Sequence, residues 1–348
     1  MPLPKALAPI FLLVASLAWS VLHGPAASTG VSLLKPGCAT AENPYRISYS
    51  AWPKINGLLC VLNTFFATIL AQPVGKAVAE HFLLGVGPLL VLVPTLESSR
   101  WYGFPYALLL SVPNVSSLLS QVLGAGFVLP VYFLVFVLAV QPTSKTRPVQ
   151  PMDAERALVQ LVLGYLIPSR NILVGQSPRA LAIFQIFPVV CIGVGATYNL
   201  VRKTFPPQAG EASARASFRN VSIAYAICAA TSAWAHFRVL LPHLRAGSVA
   251  LSTLLVPQHS RPFRGPTDVA PTLAAAVIDF LKWDYLLCVG SLAFASLFVM
   301  EEFIDVVALL GLTAAAGPGA GLAAVYYLRE KRIVDAQTKA VSAGKKSN

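Results

Sequence analysis

Asp279 and Asp284 stand at the start of an apolar run, Asp279-Phe280-Leu281-Lys282-Trp283-Asp284-Tyr285, that continues through Ser291 and Phe298 to Met300. Removing a carboxylate from water is costly, so an ionisable group inside such a run marks a functional site. A carboxyl group with little water around it keeps its proton near neutral pH, which suits it to general acid work. Spacing sorts the two. Phe280, Asp284, Leu287 and Ser291 (i, i+4, i+7, i+11) share one helical face. Asp279 points away from Asp284 on a straight helix and is expected to pair with Lys282 at the membrane surface. That leaves Asp284 as the acid, flanked by an aromatic ring one turn away and a hydroxyl two turns away. The rings of Phe280, Trp283 and Tyr285 each offer a positive charge about 0.5–2 kcal/mol of attraction.

The remaining acids have more ordinary readings. Glu97 closes an apolar run three residues before Arg100, the spacing of an interfacial ion pair. Glu301, Glu302 and Asp305 imitate a magnesium-binding cluster, but the sequence has no second acidic motif to complete it and no Asp-x-Asp-Asp segment. His236 and His243 end a run beside Arg238 and Arg245, as an interfacial basic group would. The five cysteines show no metal-ligand spacing; Cys60, Cys191, Cys228 and Cys288 lie in apolar runs and are expected as buried free thiols, with Cys38 in a polar loop. The sequons at Asn114 and Asn220 sit beside apolar runs, where glycan addition is disfavoured.

The elements that must position these groups are membrane helices. Of 348 residues, 56% are hydrophobic and 11% charged, with a mean hydropathy of +0.67. A soluble domain carries about 25% charged residues. The fold class is therefore an all-α, polytopic transmembrane helical bundle. Apolar runs at 6–24, 55–71, 82–96, 117–140, 181–201, 220–241 and 273–300, with a last one ending at Tyr327, predict about eight spans, within seven to nine. The segment 157–167 is short for a span unless it extends to Val174 past Arg170, and 102–112, broken by Pro105 and Pro113, reads as re-entrant or interfacial. The first run reads as a retained helix over a cleaved signal. Residues 1–328 form the bundle and 329–348 a basic, polar, disordered tail.

The net charge of +12 is dispersed over loops and tail, which suits topology and lipid headgroups and gives no nucleic-acid surface. The basic tail places the C-terminus in the cytosol, the acidic hinge 301–305 in the lumen, and the Pro/Arg-rich loop before Asp279 in the cytosol. The endoplasmic reticulum is the expected membrane. No internal repeat of the transporter kind is visible.

The segment Phe280-Leu281-Lys282-Trp283-Asp284-Tyr285, followed by Gly290-Ser291-Leu292-Ala293, resembles the integral-membrane terpene cyclases of fungal meroterpenoid clusters, the ascofuranone and macrophorin type. Phe184-Gln185-Ile186-Phe187-Pro188, Glu97-Ser98-Ser99-Arg100 and His236 support it, in order, over roughly residues 80–300. Lys282 stands where that family has a glutamine, and Phe294-Ala295 replaces a tryptophan-containing continuation. The resemblance implies a metal-independent, protonation-initiated cyclisation of a prenyl or epoxyprenyl chain carried on an aromatic or polyketide-derived ring. The implied partners are a lipophilic prenylated substrate and membrane lipid, with no cofactor. It makes Asp284 the catalytic acid, with Glu97 second. Phe280, Trp283, Tyr285, Ser291, Gln185, Phe187 and His236 form the expected substrate-binding set. The competing expectation is a small-molecule transporter in which Asp284 and Glu97 couple to protons.

Overall fold

The computed structural model describes residues 2–24, 32, 34–38, 40, 42–100, 106, 110, 112–205, 214–259 and 272–346. The region 102–112 expected to be re-entrant, and the loop through Arg261 and Pro266, fall mostly outside them. Among the described residues the chain is all helical. Prolines that read as breakers in the sequence instead start helices, where a missing N–H costs nothing. They open α2 (Pro53–Leu70), α3 (Pro73–Ser98), α4 (Pro113–Leu123), α6 (Pro151–Gly175) and α7 (Pro178–Gln185). Helix α1 is Ile10–Leu22, α5 Ala125–Ala139, α8 Phe187–Thr204 and α9 Arg215–Arg245. The rest are α10 (Ser248–Leu255), α11 (Leu273–Ser296), α12 (Phe303–Ala316) and α13 (Pro318–Lys346).

By length and composition, five of these helices can cross a membrane: the first with Lys5 included, then α2, α3, α6 and α9. The α7–α8 pair, bent by 71°, makes a sixth if it counts as one span. The expected eight are reduced for identifiable reasons. Run 117–140 breaks at Gly124 (φ 85°), and the last run at Gly317 (φ 89°), both in the left-handed region that glycine tolerates. Run 181–201 bends at Ile186. The ambiguous 157–167 segment belongs to one 25-residue helix, Pro151–Gly175. Helix α11 has 24 residues but carries Asp279, Lys282 and Asp284, all buried.

Hydrogen bonds define two ends of the bundle. At one end Lys5 Nζ donates to Leu138 O and Val140 O, Leu3 N to Leu297 O, and Arg100 to Arg147 O. At the other, His23 meets Leu123 and Asp284 meets Gly126. Hence α1 runs antiparallel to α5, and α11 runs parallel to it. Helix α1 is packed against α5 and α11, with Phe11, Ala15, Ala18, Val21 and Leu22 buried.

The expected separation of the acidic hinge from the tail is overturned. Asp305 pairs with Arg332 at 2.8 Å, and Glu301 accepts from Thr143, so hinge and C-terminal helix share one end. Because α13 continues to Lys346, with Arg329, Glu330, Ile333 and Val334 buried, the boundary expected at 329 falls inside a helix. The cysteine expectation also changes: Cys38 and Cys60 form a disulfide, while Cys191, Cys228 and Cys288 are buried free thiols.

Candidate functional site

Asp284 is placed by helix α11, whose start is fixed by Thr272, its side chain accepting from Ala275 N. Helix α5 begins directly opposite. Its Gly126 N–H donates to Asp284 Oδ1 at 2.6 Å, so an otherwise unsatisfied first-turn amide becomes the carboxyl's anchor. Two glycines make this approach feasible. A Cβ on Gly126 would lie 2.9 Å from Leu287 Cβ and 3.1 Å from Asp284 Oδ1; one on Gly124 would lie 3.1 Å from the same oxygen. With Oδ1 engaged by the amide hydrogen, Oδ2 is the oxygen on which a protonated Asp284 would carry its hydrogen.

The carboxyl group faces a cavity of about 400 Å³, within the range of about 300–1,000 Å³ typical of small-molecule sites. Its walls come from α1, α2, α3, α4, α5, α6, α7, α8 and α11, and they are mostly apolar. Rings dominate one side and touch in series. Phe280, one turn before Asp284, meets Phe65 at 5.3 Å between centroids, and Phe65 meets Phe66 at 5.5 Å. Phe66 then meets Phe184 at 5.3 Å, Phe184 meets Phe187 at 5.9 Å, and Phe187 meets Tyr165 at 5.1 Å. Most of these pairs are edge-to-face, the arrangement that aromatic quadrupoles favour. Tyr165 is held by donating to Leu83 O at 3.0 Å, in the wide π-helical turn His81–Val86 of α3. Only glycine fits beside it, because a Cβ on Gly87 would lie 1.8 Å from the Tyr165 hydroxyl oxygen.

The expected residues separate into two groups. Asp284, Phe280 and Phe187 line the cavity together. The others do not. Trp283 packs outward against α1, near Ala18, Val21 and Leu22. Tyr285 sits on the opposite face, 5.4 Å from the His81 ring and 5.7 Å from Phe82. His236 is buried and lies 6.5 Å from His81 in another π-helical turn, His236–Leu240. Gln185 and Ser291 are buried outside the cavity lining, with Gln185 between the lining residues Phe184 and Phe187.

Glu97 lies near the opposite end of the bundle. It pairs with Arg329 and stands 3.5 Å from Arg100, which in turn pairs with Glu330. Asp279 and Lys282 attract one another as expected, but both are buried and share a further task inside the protein. Asp279 accepts from Gln258 N and His259 N, and Lys282 donates to Thr253 O and Val256 O, so both hold the segment after α10. The acids of the imitated magnesium cluster are likewise committed, with Glu302 and Asp305 forming the capping box of α12.

Sequence reasoning missed Phe65, Phe66, Phe82, Phe184, Tyr165 and His23 as lining residues. The adjacent Phe65-Phe66 pair within a polar-dotted run was the available signal; nothing in the sequence linked His23 to Asp284, 261 positions away.

A family model described as the CtvD domain matches residues 10–334, nearly the whole chain. The chain belongs to the CtvD domain family. Its matched region includes α1 through the buried part of α13, and so every wall of the cavity. No curated protein and no solved structure matches this chain.

Proposed function

We propose that this CtvD-domain chain is a membrane-embedded terpene cyclase, acting by protonation on a prenyl or epoxyprenyl chain carried by an aromatic or polyketide-derived ring. The observation that carries the reading is the placement of one carboxyl group at the head of an apolar cavity with a continuous series of six aromatic rings leading away from it. Asp284 supplies the proton from Oδ2 to the epoxide oxygen or terminal alkene carbon. A buried carboxyl group is costly as an unpaired anion, so the neutral acid suits the apolar cavity. The C–O bond opens, or the alkene becomes a cation, and neighbouring double bonds close the rings in turn. Phe280, Phe65, Phe66, Phe184 and Phe187 offer each successive cation a π face, at about 0.5–2 kcal/mol per ring. Apolar walls limit the water that would quench the cation. The reaction is an isomerisation and needs no cofactor.

Two observations support an orientation in the endoplasmic reticulum membrane. The Cys38–Cys60 disulfide lies beside the cavity, since Leu34, Val61 and Leu62 line it, and disulfides belong to oxidising compartments. Helix α13, with Arg329, Lys331 and Arg332, lies at the other end and leads into a basic tail, a feature of cytosolic ends. The cavity end then faces the lumen and the C-terminal helix the cytosol.

The test incubates membranes containing the protein with an epoxyfarnesyl-bearing phenol, with and without EDTA, and follows product by mass spectrometry. A cyclised isomer of unchanged mass is expected in both. Asp284→Asn keeps an acceptor for Gly126 N–H but removes the acid, so turnover falls by about 10²–10⁴-fold while the protein remains folded. Full turnover in Asp284→Asn, or loss of turnover with EDTA, sinks the reading.

A further inference from the structure

A cyclisation begun by a proton must end by losing one, and the cavity that holds Asp284 holds a second titratable group, His23. Resting on the cyclase reading, we propose that His23 is the base that takes the terminal proton. His23 follows α1 directly and lines the same cavity as Asp284. Its Nε2 lies 2.8 Å from Leu123 O. A carbonyl oxygen only accepts, so in the neutral ring Nε2 carries the hydrogen and Nδ1 keeps its lone pair. The ring is held against Trp19, 4.3 Å between centroids, and stands edge-on to Phe127 at 6.0 Å.

The segment Leu123–Gly126 ties acid and base together. Leu123 fixes His23, Gly124 packs against Asp284 Oδ1 and Phe280, and Gly126 anchors Asp284. The other polar side chains on the walls are unsuited to the task. Ser117, Ser120 and Tyr165 donate their hydroxyl hydrogens to Pro113 O, Ser116 O and Leu83 O. Gln121 has no basic nitrogen. Among the described lining residues, the imidazole is the one basic nitrogen.

The step balances. Asp284 gives a proton to the substrate and the last ring closure leaves a tertiary cation. His23 Nδ1 removes a hydrogen from the adjacent carbon, and that C–H electron pair becomes the new double bond. The imidazolium then returns its proton to the Asp284 carboxylate through solvent at the cavity mouth, leaving an isomer of the substrate and the enzyme in its starting state.

His23→Gln is the decisive variant, because its side-chain amide can still donate to Leu123 O while lacking a basic nitrogen. His23→Phe keeps the ring stack and loses both. With the epoxyfarnesyl phenol in H₂¹⁸O, wild type is expected to give the alkene-terminated isomer. His23→Gln is expected to consume substrate within about tenfold of wild type. Its share of ¹⁸O-labelled, water-captured product should rise by about tenfold or more. A wild-type product ratio in His23→Gln overturns the assignment and leaves the cyclase reading standing, as does a changed ratio in His23→Phe alone. Wild-type membranes that convert nothing overturn both.

Discussion

Replacing Gly126 by alanine moves the proposed acid without removing it. The new Cβ would stand 2.9 Å from Leu287 Cβ, 3.2 Å from Asp284 Cα and 3.1 Å from Asp284 Oδ1. Carbon atoms in contact prefer about 3.5–4.0 Å. Neither Leu287 Cβ nor Asp284 Cα is the free end of a flexible side chain, so relief requires α5 and α11 to separate by on the order of 0.5–1 Å. Overpacking of this kind costs about 1–3 kcal/mol. The same separation stretches the 2.6 Å bond from Gly126 N–H to Asp284 Oδ1 toward the limit of about 3.2 Å at which such bonds fade. Misplacing a reacting group by about 1 Å costs around 10²-fold in rate. Gly126→Ala is therefore expected to melt several degrees below wild type in detergent and to turn over about 10²-fold more slowly. Gly290→Ala, on the exposed face of α11 with nothing within 4 Å of its new Cβ, is the control. It should be neutral or more stable by up to about 1 kcal/mol, at full turnover. Should Gly126→Ala match Gly290→Ala in both melting and turnover, α5 does not press on Asp284 and the positioning argument fails.

Two further outcomes test other parts of the bundle. Glu97→Gln leaves Arg329, 1% exposed, short of its anionic partner, and breaking one side of a buried pair costs about 3–5 kcal/mol. It should depress melting strongly, and a variant that melts like wild type yet has lost turnover would make Glu97 part of the chemistry. Cys38→Ser with Cys60→Ser opens a loop of sequence separation 22 and should cost about 3 kcal/mol. In sealed microsomes wild-type Cys38 and Cys60 should resist maleimide until reduced, and then react only with reagent admitted to the lumen; cytosolic labelling reverses the orientation.

The helical class was legible because apolar blocks are local signals, and so was the burial of Asp284, a charge inside such a block. The span count was not. Whether Gly124 or Gly317 takes a positive φ depends on what packs against the chain there, and the sequence runs 117–140 and 306–327 look continuous either way. The aromatic side of the site was half legible. Helical spacing placed Phe280 beside Asp284 correctly but had no means of deciding that Trp283 faces α1 and Tyr285 faces His81. Phe65, Phe66 and Tyr165 join the cavity through tertiary contacts between α2, α6 and α11, at separations that no periodicity reports. The Cys38–Cys60 bond was hidden for the same reason, one partner lying in an apolar run and the other in a polar loop.

Partnership explains why one buried acid stands apart from the rest. Glu97 and Glu330 face Arg329 and Arg100, Asp305 faces Arg332, and Glu155 faces Arg202. Asp279 holds backbone amides, and Lys282 the carbonyls, of one segment. Each of these charges offsets its desolvation locally, which makes it structural cement between elements distant in sequence. Asp284 accepts from a neutral amide and turns toward an apolar cavity. The strong ion pairs also cluster at the end opposite the cavity, where they clamp α3, α12 and α13 together. Among the described lining residues of the cavity there is no lysine or arginine, and Lys282, two positions before Asp284, is held by Thr253 O and Val256 O, so no such cation faces the place where a substrate cation would form. A guanidinium beside Asp284 would hold the acid as its carboxylate and repel that cation. Keeping lysine and arginine off the cavity walls is thus a requirement of the proposed chemistry.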